Sequence, residues 1–263
     1  MCTLIAYYQM LPSYPIIVAA NRDEHYTRRA RGPHVLHQAP RVYAGKDEYA
    51  GGTWLGVNEF GLVVGLLNRH SPELQDPARR SRGLLCLDLL CQRDARTAKE
   101  WLVSEAKARS YNSFYVFWAD AEYAFVAYNE GDITIRALQA GRYLLTNSSL
   151  IDLSQLTPAG LGDLLTAPQP DSVEVSLDRL KALCGTHREF DRVVDPPNEH
   201  RGNRAICVHA SEQYGTVSSS LLAIGRDWAA HRYLHAEGAP CCTPYRDVSA
   251  LLNDPSGGQT PAD

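Results

Sequence analysis

Strand-length apolar runs open the chain. Cys2 to Gln9 and Pro15 to Ala20 are separated by a turn holding Pro12 and Ser13, which predicts an N-terminal hairpin. The second run leads straight into the polar quartet Asn21-Arg22-Asp23-Glu24, and hairpin pairing would bring that end beside Cys2. The basic stretch that follows, through Pro40, shows neither period and reads as irregular. Thr53 to Val57 and Leu62 to Leu67 then predict a second hairpin around the turn Asn58-Glu59-Phe60-Gly61.

From Ser81 to Lys107 the pattern becomes helical. Leu84, Leu85, Leu87, Leu89 and Leu90 form one apolar block, Asp94 is placed to cap a second helix, and Ala98, Trp101, Leu102 and Glu105 follow at helical spacing. Strands are expected again at Phe114 to Ala119, Tyr123 to Tyr128, Ile133 to Leu138 and Tyr143 to Leu145. Helices are expected near Leu153 to Leu165 and Val175 to Cys184. A loop with Pro196, Pro197 and Gly202 leads to strands at Arg204 to Ala210, Thr216 to Ile224 and Trp228 to His235. No internal repeat is apparent. Hairpin turns dominate the strand groups, and the order is not a βαβ alternation. The expected fold is therefore α+β: a four-layer αββα sandwich of two mainly antiparallel sheets flanked by helices, one domain over residues 1–253 with a disordered tail at 254–263.

Composition narrows the partners. The chain has 263 residues, 44% hydrophobic and 21% charged, with a net charge of −4. That balance gives no general attraction for phosphates, so nucleic acid is not expected as a partner. No apolar run is long enough to span a bilayer, and the start lacks the pattern of a secretory leader, so the expected location is cytoplasmic. The seven cysteines include no C-x-x-C pair, and His231 and His235 lack the intervening Glu of a metalloprotease helix. Neither a disulfide framework, a metal site nor a cofactor is expected.

Chemistry concentrates at the start. Met1 is removable because Cys2 is small, and the trimmed chain would carry a thiol and a free α-amino group on one residue. An α-amine titrates near pH 8 and can serve as base for its own thiol. Cys2 also reads as a small hydrophobe opening a buried strand. The quartet reads on its residues alone as an exposed, salt-bridged turn, Asn68 and Asn147 as strand-end residues bonding local backbone, and Trp54 as core.

A wider set of motifs changes that reading. Met1-Cys2, "IVAANRDEHYTR" ending at Arg28, "GGTWLGVNEFG" from Gly51 to Gly61, Asn68, Arg82-Gly83-Leu84, Tyr111-Asn112, Asn147 and Tyr214-Gly215-Thr216 together resemble the NRDE family, also called the transport and Golgi organization family, in the family's order. That family resembles a branch of the N-terminal nucleophile hydrolases and is similar, more distantly, to the bile-salt hydrolase and penicillin acylase group. The resemblance implies that Cys2 is the nucleophile, that Asp23 holds it, and that Asn68 and Asn147 stabilise a tetrahedral oxyanion. Arg22 would lower the thiol pKa or hold a substrate carboxylate. Where the family typically has an arginine after Tyr-Gly-Thr, this chain has Val217.

Two functions follow from the resemblance. One is an amidohydrolase or acyltransferase acting on a small amide or thioester. The other is a noncatalytic carrier of haem or acyl-CoA in the same cleft, with Cys2 or His25 as a contact.

Overall fold

In the computed structural model, residues 2–130, 132–155, 172–188 and 205–253 are described. The strands are β1 (Thr3–Leu11), β2 (Tyr14–His25), β3 (Ala30–Gln38), β4 (Arg41–Asp47), β5 (Leu55–Asn58), β6 (Val63–Asn68), β7 (Phe114–Ala119), β8 (Ala124–Glu130), β9 (Asp132–Leu138), β10 (Gly141–Leu145), β11 (Leu150–Asp152), β12 (Tyr214–Ile224), β13 (Arg232–Ala236) and β14 (Arg246–Asp247). Helices α1 (Arg82–Leu90) and α2 (Ala95–Ala108) fall between β6 and β7, and α3 (Val173–Cys184) precedes β12.

These strands form two seven-stranded antiparallel sheets. The first, sheet A, has the order β11-β10-β1-β2-β12-β13-β14; the second, sheet B, runs β3 to β9 in sequence. β1 and β2 occupy the middle of sheet A, and their alternation explains why both are apolar nearly throughout. Leu4, Ala6, Ile16 and Val18 face the layer between the sheets, while Ile5, Tyr7, Ile17 and Ala19 face α3. A strand covered on both faces needs no polar side, and each Leu or Ile so buried contributes about 1.5–3 kcal/mol. On the outer face of sheet B, Leu85, Leu89 and Leu102 of α1 and α2 pack on Val64, Val116 and Trp118. The layers are helix, sheet, sheet, helix, and no described helix is long and apolar enough to cross a membrane.

Several boundaries differ from the sequence pattern. The basic stretch before Pro40 is not irregular: it forms β3, and Arg41–Asp47 forms β4. β3 is an edge strand with register shifts at Arg31/His34 and Val35/His37, so two interruptions scramble the alternation that would have revealed it. The strand expected at Arg204 to Ala210 does not form over the described residues 205–210, which make only isolated bridges such as His209 with Gly215. Leu150–Asp152 pairs with β10, and the expected helix from Leu153 begins as a single 3-10 turn, its remainder lying outside the described residues. The final expected strand begins as a 3-10 turn at Trp228–Ala230 before β13. The Pro196–Gly202 loop and the tail from Asp254 also lie outside the described residues.

Candidate active site

The polar quartet is no surface turn. Asn21, Arg22 and Asp23 are 2%, 6% and 4% exposed, and they continue β2 between β1 and β12. Burial of three polar groups requires partners, and each has its own. Asn21 donates through Nδ2 to the carbonyls of Cys184 and Ile206, both at 2.9 Å, tying the end of α3 to the segment before β12. Arg22 lies with its guanidinium carbon 4.9 Å from the Trp54 ring centroid and with Nη2 3.6 Å from Asp47 Oδ2. Asp23 accepts at Oδ1 from the Thr216 hydroxyl at 2.6 Å.

Cys2 sits where β1 begins, against the inter-sheet core. Its sulfur meets the main chain of Asp23: the Asp23 N–H donates to Sγ at 3.4 Å, and the thiol donates to the Asp23 carbonyl at 3.6 Å. Cys2, Arg22 and Asp23 open onto a cavity of about 380 Å³ whose opposite wall includes Trp54, Asn68 and Arg82. Burial, reinforced by the negative charge of Asp23, pushes the Cys2 thiol up to about 11, with Arg22 acting in the other direction. The thiol is therefore protonated at neutral pH in the chain that retains Met1. Burial also raises Asp23, opposed by its hydrogen bond from Thr216.

Glycines shape the facing wall. A Cβ on Gly52 would lie 2.1 Å from the carbonyl carbon of Gly83, so only glycine permits this backbone approach. The Thr53 N–H then donates to the Gly83 carbonyl at 3.0 Å, which seats the start of α1 at the cavity. Arg82, the first residue of α1, extends into it and donates from Nη1 to the Ser113 carbonyl at 3.0 Å. Among the described residues Arg82 has no carboxylate in ion-pair contact, unlike Arg28, which lies 2.8 Å from Asp47. Burial and the charge of Arg28 lower the pKa of Arg82, and the Cys2 and Glu24 charges oppose that shift.

Of the expected site residues, Cys2, Arg22, Asp23 and Asn68 share this cavity. Asn147 does not line it. It is buried, and its Nδ2 donates to the Asn68 main-chain carbonyl. The partner lies on a strand of the opposite sheet, so Asn147 is not a local cap. His25 is exposed, edge-on to Tyr214 with ring centroids 5.2 Å apart, and stands off the cavity wall. Val217 borders a smaller recess on the far side of Arg22 and Trp54. Sequence reasoning missed Arg82 as a wall residue and Thr216 as the support of Asp23. Both lie inside the motifs already singled out, which was the available signal.

Comparison with known proteins finds the same fold and the family. The fold is similar to penicillin V acylase from Agrobacterium tumefaciens, with TM-score 0.59 at 12% identity, covering 94% of this chain and 86% of that one. It is also similar to a mutant of conjugated bile acid hydrolase from Clostridium perfringens, with TM-score 0.50 at 14% identity, covering 95% and 93%. The architecture is that of the N-terminal nucleophile hydrolases. In sequence the chain is 30% identical to the Transport and Golgi organization protein 2 homolog of Bos taurus, over 82% of this chain and 84% of that protein. The Mus musculus homolog is likewise 30% identical, over 81% and 83%. Residues 1–233 match the model of the same family, and the chain belongs to the Transport and Golgi organisation 2 family.

Proposed function

We propose that this chain is an N-terminal cysteine hydrolase or acyltransferase acting on a carbon–nitrogen amide or thioester bond of a small molecule. The observation that carries the reading is the Cys2 sulfur held against the Asp23 main chain at a cavity walled by Arg22, Asn68 and Arg82. Removal of Met1 would supply what the buried thiol lacks. A neutral α-amine takes the thiol proton as sulfur attacks the carbonyl carbon, and the resulting ammonium returns that proton to the departing amine or thiol. The acyl group then resides on Cys2 until water or another acceptor removes it.

The remaining residues divide the work. In this reading the Asn68 amide, on the cavity wall, donates to the oxyanion, and one such donor is typically worth about 3 kcal/mol in the barrier. Asn147 acts on Asn68 by holding its carbonyl. Asp23 sets the electrostatics of the amine and thiol. Arg82, with no carboxylate in ion-pair contact among the described residues, suits a carboxylate or phosphate on the substrate.

A second reading keeps the cavity and drops the chemistry: a carrier for haem or an acyl-CoA. A thiol raised to about 11 and an arginine-rich wall favour binding of an anionic ligand without turnover. Intact mass and alkylation separate the two. A mass lacking Met1, selective alkylation of Cys2 at neutral pH, and turnover in amide and thioester libraries that Cys2→Ala abolishes would establish the hydrolase. A mass retaining Met1 with an inert Cys2, together with a haem Soret band or acyl-CoA binding that survives Cys2→Ala, would establish the carrier.

A further inference from the structure

Behind Asp23, away from the cavity, the fold collects four metal-ligating side chains that no sequence motif joins. His187 follows α3, Cys207 and His209 lie in the segment before β12, and Cys241 follows β13. One ligand atom from each lies within 4.8 Å of all the others. His209 Nε2 is 3.2 Å from Cys241 Sγ and 4.0 Å from Cys207 Sγ. The His187 ring is oriented through a 3.1 Å contact between Nδ1 and the Cys207 carbonyl, and lies with its centroid 5.2 Å from that of His209.

We propose that His187, Cys207, His209 and Cys241 form a structural zinc site. Two thiolates and two imidazoles are a zinc donor set, and bond lengths of about 2.3 Å to sulfur and 2.0–2.1 Å to nitrogen would set tetrahedral ligands roughly 3.4–3.8 Å apart. The observed spacing needs only a small contraction. Binding releases the two thiol protons to solvent and leaves neutral imidazoles, so the loaded site is electrically neutral. Cys207 is buried while the other three are exposed, which gives the ion an anchor below and an entry path above.

The consequence lies in what this staple would hold. Val208 stands between two of the ligands. Its N–H donates to Thr216 Oγ1 at 2.8 Å, its carbonyl accepts from the Thr216 N–H at 2.8 Å, and Thr216 in turn donates to Asp23. The Cys207 N–H donates to the Thr186 carbonyl at 3.0 Å beside His187, and Asn21 bonds the neighbouring carbonyls of Cys184 and Ile206. A bound ion would join the end of α3 and the segment before β12, which support Asn21 and Asp23 from behind, to the chain after β13. The zinc is thus a positioning element for the quartet and is independent of whether Cys2 turns over a substrate.

The test uses the full-length chain, reduced and freed of metal, in wild-type and Cys2→Ser backgrounds so that zinc at the N-terminal thiol is not mistaken for this site. Titration with zinc against a chromophoric chelator is expected to give about one ion per chain in both backgrounds. Cobalt in its place is expected to give tetrahedral d–d bands with a thiolate charge-transfer band. Cys241→Ser and His209→Ala, both at exposed positions, should weaken binding by at least about tenfold, whereas Cys242→Ser should not. Zinc removal should lower Tm by roughly 5 °C or more. Uptake below about a tenth of an equivalent, uptake unchanged in the Cys241 and His209 variants, or a Cys207–Cys241 disulfide whose reduction restores no zinc binding would overturn the proposal.

Discussion

Thr216 donates its hydroxyl proton to Asp23 across the β12–β2 pairing at 2.6 Å, while its own oxygen accepts from the Val208 N–H. One hydroxyl thus satisfies a buried carboxylate and a buried amide at once. Thr216→Val keeps the shape and removes both bonds, and is expected to destabilise the fold by about 1–3 kcal/mol in urea denaturation, with Thr216→Ser recovering most of the loss. Equal stability of the valine variant would refute this account of Asp23.

Asp23→Asn should move stability and activity in opposite directions. Burial raises the Asp23 pKa, so the fold favours its protonated form, and the stability that form contributes is lost as pH rises through the raised pKa. At neutral pH the neutral amide avoids that loss, with Tm expected to rise by roughly 2–4 °C, about 1 kcal/mol, while turnover disappears. Lowering the pH should close the gap as the wild-type carboxyl takes up its proton. A variant less stable than wild type at every pH would contradict the electrostatic argument.

Cys2 reactivity should depend on whether Met1 is present. With Met1 retained, alkylation by iodoacetamide is expected to climb about tenfold per pH unit until the thiol titrates near 11. The trimmed chain, with its α-amine as base, should react at pH 7–8 at least ~10²-fold faster. Identical profiles would remove the catalytic role assigned to trimming.

Arg82→Met replaces a desolvated charge by an apolar chain of similar length. The folded state should tolerate it to within about 1 kcal/mol, because burial already disfavours the cation. For a substrate carrying a carboxylate or phosphate KM should rise about 10- to 100-fold with kcat little changed, and for a neutral analogue KM should hold. A fall in kcat alone would assign Arg82 to the reacting atoms instead.

Gly52→Ala forces a methyl group into the Gly83 backbone, and no flexible side chain is there to yield. Expected is a destabilisation of about 3 kcal/mol or more with loss of Cys2 alkylation selectivity, since the wall carrying Arg82 must shift. Near-native stability would mean that α1 can be displaced without consequence.

The sequence made some of these features readable and concealed others. β1 and β2 were legible because both of their faces are buried, leaving apolar runs bounded by turn residues. The edge strand β3 was not, because two register shifts break its alternation. The quartet looked like a turn because its partners lie 163, 185 and 193 residues away, beyond any local pattern. Only the family resemblance moved it into a site. The His187, Cys207, His209 and Cys241 group is hidden for another reason: its members come from three separate segments near the last strands and have no metal-finger spacing.

The two sheets differ in how they can be built during synthesis. Sheet B is a meander whose every strand neighbours its successor in the chain, so a ribosome-bound fragment ending near Leu138 already contains all its pairings. Sheet A places the oldest strands, β1 and β2, between β10 and β12, and β12 begins only at Tyr214. The strand that carries Cys2 is translated first and enclosed last, so the Asp23 side of the cavity stays without its Thr216 partner until β12 has emerged.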